Sequence, residues 1–162
     1  MAAARAGARL AAASRAREVV AVIPSKELVL AACRGLPHAD HPMLDAAGEL
    51  TQLHEQRERT PVSALAKLDR RRGQLVRAID RWVTLATPIP HGSARLHSET
   101  VGSIIDRMAQ LTVHAFVASA HAPDTVYYDA WVRLHEVADS YQDLIIELLD
   151  GNRRLPDAAG EW

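Results

Sequence analysis

Apolar residues recur along most of the chain at alternating steps of three and four residues, the spacing that places side chains on one face of an α-helix. No stretch shows the period of two that is typical of a half-buried β-strand. The pattern therefore predicts four long amphipathic helices. Their apolar stripes are, in chain order, Met43, Ala47, Leu50 and Leu53; Leu65, Leu68, Leu75, Ile79 and Trp82; Val101, Ile104, Met108, Leu111, Ala115 and Ala118; and Tyr127, Trp131, Leu134, Ala138, Tyr141, Ile145 and Leu148.

Capping residues set the bounds of the first three helices. Ser25 can cap a short first helix over residues 25–34, which precedes the four long ones. Proline at the first position of the second helix predicts that it covers 42–59. Thr60 followed by proline is typical of an N-cap and first helical residue, so we expect the third helix over 60–86.

A loop rich in proline separates the third helix from the last two. After this loop at 87–92, Ser98 can cap a fourth helix over 98–120, and a Pro-Asp pair opens a fifth over 124–151. Four long amphipathic helices predict an all-α protein, a four-helix bundle. The short N-terminal helix is expected to pack as one additional piece across one end.

Composition fits one globular domain. The chain has 162 residues, of which 48% are hydrophobic and 24% charged, with a formal net charge of −1. We expect an Ala/Arg-rich flexible arm at 1–17, a single helical-bundle domain at 18–151 and a C-terminal tail at 152–162. The arm has four arginines but no apolar stripe, so it is not expected to order. Without aromatic residues for base stacking beside them, these arginines make nucleic acid an unlikely partner.

Cysteine usage and hydropathy indicate the compartment. Cys33 is the only cysteine, so no internal disulfide can form and a reducing cytoplasm is expected. No apolar run approaches the roughly 20 residues that span a bilayer, so no membrane is expected either. Arginine supplies 17 of the 19 basic residues, which suggests a GC-rich bacterial coding sequence.

Charge is distributed unevenly between two helices. Residues 62–85 carry six basic and two acidic side chains, a net charge of +4, and residues 124–150 carry one basic and seven acidic, a net charge of −6. Placing the two helices side by side would relieve like-charge repulsion, so charge favours an arrangement in which they are neighbours, although each exposed pair contributes only about 0–1 kcal/mol. The acidic face could also receive a basic partner protein or simply be solvated.

Polar residues interrupt the apolar stripes at matching places. Arg72 lies on the seam of the third helix, where a buried guanidinium needs a carboxylate partner. His54 and Arg57 make the second helix polar towards its end, and Asp106 and His114 share one side of the fourth. A polar pocket between these three helices is expected, although a boundary network with charged heads in water fits the same pattern.

Signatures of metal and nucleophilic chemistry are missing from the sequence. None of the eight histidines follows a carboxylate by three residues, the spacing of di-iron bundles. Phosphate-binding glycine loops and the Gly-x-Ser-x-Gly elbow are also missing. We therefore expect no metal and no cofactor. Whether the protein is an enzyme stays open, because arginines can act on an anionic small molecule by charge alone.

Several motifs together resemble a known family. They are Leu53-His54-Glu55-x-Arg57, the run from Leu75 to Trp82, and His97-Ser98-Glu99-Thr100-Val101-Gly102 with Asp106-Arg107. They are similar to the actinobacterial branch of the bacterial domain-of-unknown-function family numbered four-two-five-four, over most of the chain. The resemblance implies a small helical cytoplasmic bacterial protein with no assigned activity. With Arg72, its shared polar residues give the ligand-binding candidates His54, Glu55, Arg57, Arg72, Asp80, His97, Glu99, Asp106 and Arg107.

These candidates allow two interpretations at the start of the fourth helix. His97 and Glu99 lie where the helix dipole and free N–H groups favour an anion. Alternatively, Asp80 and Arg107 pair across adjacent helices as a structural contact.

Two functions follow as hypotheses. The first is a helical-bundle protein that binds a partner protein or self-associates as a homodimer, through an apolar surface at Val126, Tyr127, Tyr128 and Trp131. The second is a protein or enzyme that binds an anionic metabolite between the helices with its Arg/His/Asp residues.

Overall fold

A computed structural model describes residues 23–157, and this part of the chain is almost entirely α-helical. The arm predicted at 1–17 lies outside the described residues, and the tail predicted from 152 is described as far as Asp157. The elements are α1 (Lys26–Cys33), α2 (Pro42–Arg59), α3 (Leu65–Ala86), β1 (Arg95–Leu96), α4 (Val101–His121), α5 (Asp124–Leu149) and β2 (Arg153–Arg154). None of the described helices is both long and apolar enough to cross a bilayer.

The helix starts predicted from the capping residues Ser25 and Pro42 are confirmed. Ser25 caps α1, its hydroxyl accepting from the Leu28 N–H at 3.4 Å. Pro42 is the first residue of α2, and the preceding His41 accepts from the Met43 N–H through Nδ1 at 3.1 Å. These caps satisfy N–H groups that have no partner inside the helix.

Two predicted helix starts are wrong. The third helix begins at Leu65 rather than at Thr60, because Val62–Ala64 first form a 3-10 turn. The fourth is capped by Thr100 rather than Ser98, with Thr100 Oγ1 accepting from the Ser103 N–H at 3.2 Å.

The later start of α4 has a physical cause in the neighbouring strands. β1 pairs in parallel with β2, and the next residue, His97, donates its N–H to the Arg154 carbonyl at 2.7 Å. The chain is therefore held extended through His97 and cannot turn into a helix as early as Ser98.

The five helices form the predicted all-α arrangement, a four-helix bundle with one short additional helix. α4 is central and contacts each of the other four described helices, and α1 packs on α2, α4 and α5. Adjacent residues of α4 are both buried, such as Ile104 with Ile105 and Met108 with Ala109, so more than one face of this helix is covered. The expectation that the basic α3 lies beside the acidic α5 is wrong. These two described helices share no extended contact, and each packs on α4.

The apolar stripe of α5 leaves the core near its N-terminal end. Leu134, Tyr141 and Leu148 are buried as predicted, whereas Tyr127 and Trp131 are both 41% exposed. The spacing correctly places these residues on one face. It does not show which turns of α5 the other helices cover.

Candidate functional site

A carboxylate on α4 joins three helices. Asp106 Oδ1 accepts from His54 Nε2 of α2 at 2.8 Å, and Asp106 Oδ2 accepts from Arg72 Nη2 of α3 at 2.7 Å. Burial alone would raise the pKa of Asp106, but the hydrogen bonds from His54 and Arg72 outweigh it and lower this pKa below its ordinary value. Asp106 is thus the carboxylate that Arg72 was expected to need on the seam of its helix.

The contacts continue towards the surface. Arg72 Nη1 donates to Asp69 Oδ1 at 3.0 Å, and Arg57 Nε donates to the same oxygen at 3.2 Å. The hydrogen bond from Arg57 is the main reason that the pKa of Asp69 is lowered. Four of the nine candidates, together with Asp69, therefore form one chain of charged hydrogen bonds across α2, α3 and α4. We call it the polar network; its members are His54, Arg57, Asp69, Arg72 and Asp106.

A second buried carboxylate reaches the N-terminus of α4. Asp80 is 7% exposed, and its Oδ1 accepts from the Gly102 N–H at 2.7 Å. Burial raises the pKa of Asp80, and hydrogen bonds from Gly102 and Thr100 offset only part of this effect. The helix end that was expected to attract an external anion therefore already holds a carboxylate of the protein.

The contact between Asp80 and α4 depends on a glycine. A Cβ atom built at Gly102 would lie 2.8 Å from Asp80 Oδ1 and closer still to the Val76 carbonyl oxygen. Only glycine lets the backbones of α3 and α4 approach this closely. Gly102, which sequence reasoning recorded only as part of a motif, is thus the residue that brings Asp80 to the helix end.

The remaining candidates near this helix end have local partners. Glu99 forms an ion pair with Arg107, so the alternative pairing of Asp80 with Arg107 is not formed. His97 Nδ1 accepts from the Glu99 N–H at 3.1 Å. Burial, followed by the nearby charge of Arg153, lowers the pKa of His97.

An open groove between α3, α4 and the segment after β2 forms a cavity of about 520 Å³. Four candidates line it, and they are Arg72, Asp80, Glu99 and Asp106. Arg77 and the hydroxyl groups of Ser98, Thr100 and Ser103 also line it and were not among the candidates.

The charges of this cavity do not favour an anion. Five carboxyl groups face two guanidinium groups, and Arg72 already donates to Asp69 and Asp106. Among the described residues, Arg77 alone of the lining cations is left without an ion pair. The cavity is thus polar, and its charged groups largely satisfy one another.

Glu55 lies apart from both groups. It is exposed and lines a smaller groove of about 300 Å³ between the C-terminal ends of α2 and α4, together with Phe116 and Val117. Asp69, which sequence reasoning missed, stands three residues before Arg72, a spacing that places the two on one helix face. That spacing is the signal that would have found it.

Apolar side chains are exposed where α4 ends and α5 begins. Of the six Phe, Tyr and Trp residues in the described part, four are exposed, and all four lie here. We call these side chains the aromatic tip: Val126, Tyr127, Tyr128 and Trp131 on α5, and Phe116 and Val117 on α4, the latter two beside the end of α2. It contains all four residues proposed for an apolar surface on α5.

A histidine with an unusual environment borders the aromatic tip. The rings of Trp131 and His135 are stacked with centroids 3.8 Å apart. His135 Nε2 is buried and finds no hydrogen-bond partner within residues 23–157. Burial, and then the charge of Arg34, lowers the pKa of His135, which favours the neutral ring.

Residues suited to metal binding do not converge in the described part. Between residues 23 and 157, no three His, Cys, Asp or Glu side chains are placed to hold one ion. The thiol of Cys33 is buried in α1, and burial raises its pKa to about 11, far from the range of a reactive cysteine.

Comparison with known proteins gives a family and no activity. A family model described as "Protein of unknown function (DUF4254)" matches residues 51–156, more than half of the chain. No curated protein and no solved structure matches the chain. The matched segment includes the polar network, Asp80 with Gly102, and the aromatic tip. The family resemblance inferred from the motifs is confirmed, and the chain belongs to the family of proteins of unknown function DUF4254.

Proposed function

We propose that this protein is a self-associating helical module whose two copies meet through the aromatic tip. The observation that supports this proposal is the exposure of Phe116, Tyr127, Tyr128 and Trp131 at one end of a bundle that has few aromatic residues. Tyrosine, tryptophan and phenylalanine are enriched at protein interfaces, and clustered exposed apolar surface is uncommon on monomers. The single cysteine and the arginine-rich composition support a bacterial cytoplasm as its location.

The area of the aromatic tip suits a small dimer interface. An aromatic side chain buries about 200 Å² when fully covered, so four of them exposed by about half offer about 450 Å². Two copies would then cover about 900 Å² of aromatic surface. With Val117 and Val126 added, the total reaches the roughly 1,000 Å² that a specific interface requires.

Charge favours a second copy over a strongly charged partner. Residues 113–135 contain the carboxylates Asp124 and Asp129 and the guanidinium of Arg133. The end of α2 adds Glu55, Glu58 and Arg59 beside Phe116, so the net charge around the tip is −2. Two such surfaces can approach with little repulsion, in contrast to the acidic remainder of α5. A contact of each tip with the same tip on another copy is two-fold symmetric and closes as a dimer.

Sedimentation velocity tests the proposal. Phe116 and Tyr128 are 74% and 65% exposed, so the double variant Phe116→Ser, Tyr128→Ser should leave the fold intact. We expect a dimer for the unmodified protein and a monomer for the double variant, with the same helical circular dichroism spectrum. Leu85→Ser is the matched control, because Leu85 is 88% exposed but lies on α3, away from the tip. The Leu85→Ser protein should remain a dimer. An unmodified monomer, or a double variant that stays dimeric, would refute the proposal.

The cavity between α3 and α4 supports a second candidate, the binding of a small polar molecule. Its support is the convergence of Arg72, Asp80, Glu99 and Asp106 on one concave surface. Native mass spectrometry of the purified protein tests it. A small molecule retained under gentle conditions, and lost in Arg72→Met while the variant remains folded, is the expected result. A protein mass with nothing added would remove this candidate.

A further inference from the structure

The exposed side of α3 carries a row of cations, one of which, Arg77, also lines the cavity beside α4. Lys67, Arg70, Arg77 and Arg81 are all exposed, and none forms a salt bridge with any residue from 23 to 157. Their offsets of 3, 10 and 14 residues keep them on one face, over about 21 Å of helix. We call them the basic row. Arg71, between the row and the core, is by contrast paired with Glu49.

The outer face of α5 carries a matching row of carboxylates. Asp129, Glu136, Asp143 and Asp150 follow one another at intervals of seven residues, which keeps them on one face over about 32 Å. All four are exposed, and their carboxyl groups form no salt bridge with residues 23–157. We call them the acidic row. Within residues 23–157, these two rows of opposite charge therefore form no salt bridges.

These rows cannot meet within one copy, because α3 and α5 each pack on α4 and share no extended contact. We propose that the basic row of one copy docks on the acidic row of another. Arg70 and Arg77 are seven residues apart, as are Glu136 and Asp143, so both cations can face carboxylates at once when the two helices lie along each other. An antiparallel arrangement of the helices also aligns their dipoles favourably.

This contact differs in kind from the contact at the aromatic tip. It joins two different surfaces, so copies add head to tail and the assembly grows beyond a dimer, into a ring or an open chain. It depends on exposed charges, which salt screens within about 10 Å at 0.1 M. The association is therefore expected at low salt and high protein concentration, and it does not depend on the proposed dimer.

The test separates the two contacts by using the tip variant Phe116→Ser, Tyr128→Ser as the starting protein. We expect its average sedimentation coefficient to rise with protein concentration at about 20 mM salt and to stay constant at about 500 mM salt. No association at low salt would overturn the inference. Association that persists at high salt would overturn it as well, because a contact between exposed charges is screened there.

Charge reversal then identifies the surfaces. One protein carries Arg70→Glu with Arg77→Glu, which leaves its basic row without net charge and its acidic row intact. The other carries Glu136→Arg with Asp143→Arg, which leaves its acidic row without net charge and its basic row intact. Each alone should remain monomeric at low salt, and an equal mixture should associate because opposite rows are again available. Arg59→Glu, at an exposed arginine of α2 outside both rows, should associate like the starting protein. Association of either reversed protein alone, or a mixture that stays monomeric, would overturn the proposal.

Discussion

Replacing Gly102 with alanine is expected to force α3 away from the N-terminus of α4. The added Cβ would lie 2.8 Å from Asp80 Oδ1 and closer to the Val76 carbonyl oxygen, which is part of the α3 backbone and cannot rotate aside. The hydrogen bond from the Gly102 N–H to Asp80, 2.7 Å long, would lengthen as the helices separate. The perturbation therefore combines overpacking with the loss of a buried charged contact.

The cost can be worked from these two effects. Overpacking of a tight interior typically costs about 1–3 kcal/mol. Loss of a hydrogen bond to a charged group adds about 1.5–3 kcal/mol. The higher helix propensity of alanine opposes these losses by up to about 1 kcal/mol in a helix interior, and by less at position 102, which is the second residue of α4. We expect Gly102→Ala to lower the free energy of unfolding by about 3 kcal/mol, a decrease in Tm of about 6–12 °C.

Urea denaturation followed by circular dichroism measures this difference, and Gly48→Ala is the matched control. A Cβ at Gly48, inside α2, would sit at an ordinary 3.5 Å from the Ala32 carbonyl oxygen. The control should therefore be neutral or more stable by about 0.5–1 kcal/mol. If Gly102→Ala unfolds at the same urea concentration as the unmodified protein, the close approach of α3 and α4 is not as described.

Three further outcomes are expected. The folded pKa of Asp106 is lowered, so the contribution of this carboxylate to stability is complete above its ordinary pKa of about 3.9 and is lost as the pH falls through the folded pKa. Urea unfolding at successive acidic pH values should show this loss. The loss should be smaller in Asp106→Asn. Because the pKa of Asp80 is raised, Asp80→Asn should change the free energy of unfolding by no more than about 1 kcal/mol. Asp80→Ala should lower it by about 2 kcal/mol, because the Gly102 N–H loses its partner. Equal effects of the two substitutions would contradict this account. The buried thiol of Cys33, with a pKa of about 11, should react with a thiol reagent at pH 8 only as fast as the bundle opens. Labelling at the rate of an unfolded peptide would contradict this and show that the thiol is accessible.

Helix content was predictable because its determinants are local. The spacing of apolar residues and the caps at Ser25 and Pro42 act within a few residues, and the structure agrees with them. The start of α4 was not predictable from local sequence, because it depends on the pairing of β1 with a strand almost 60 residues later. Nor can an apolar stripe reveal which of its turns the other helices cover, which is why Tyr127 and Trp131 were assigned to the core as well as to a surface.

The candidate site was predictable to a similar extent. Arg72 on an apolar seam indicated a carboxylate partner on a neighbouring helix, and Asp106 is that partner. The role of Asp80 was out of reach, because it follows from how closely two helices approach at Gly102. The position of α3 relative to α5 was also wrong, because charge balance between two helices is a weaker determinant than the apolar faces of α4.

The anchorage of α1 on α5 has a consequence for the order of events during synthesis. The buried hydroxyl of Tyr141 donates to the Pro24 carbonyl at 2.7 Å, and Lys26 contacts Gln142 and Asp139. More than 110 residues separate these partners, so at about 5–20 residues per second the ribosome delivers Tyr141 about ten seconds after Pro24. During that interval α1 lacks its anchor on α5, and it acquires its full set of contacts only when α5 emerges.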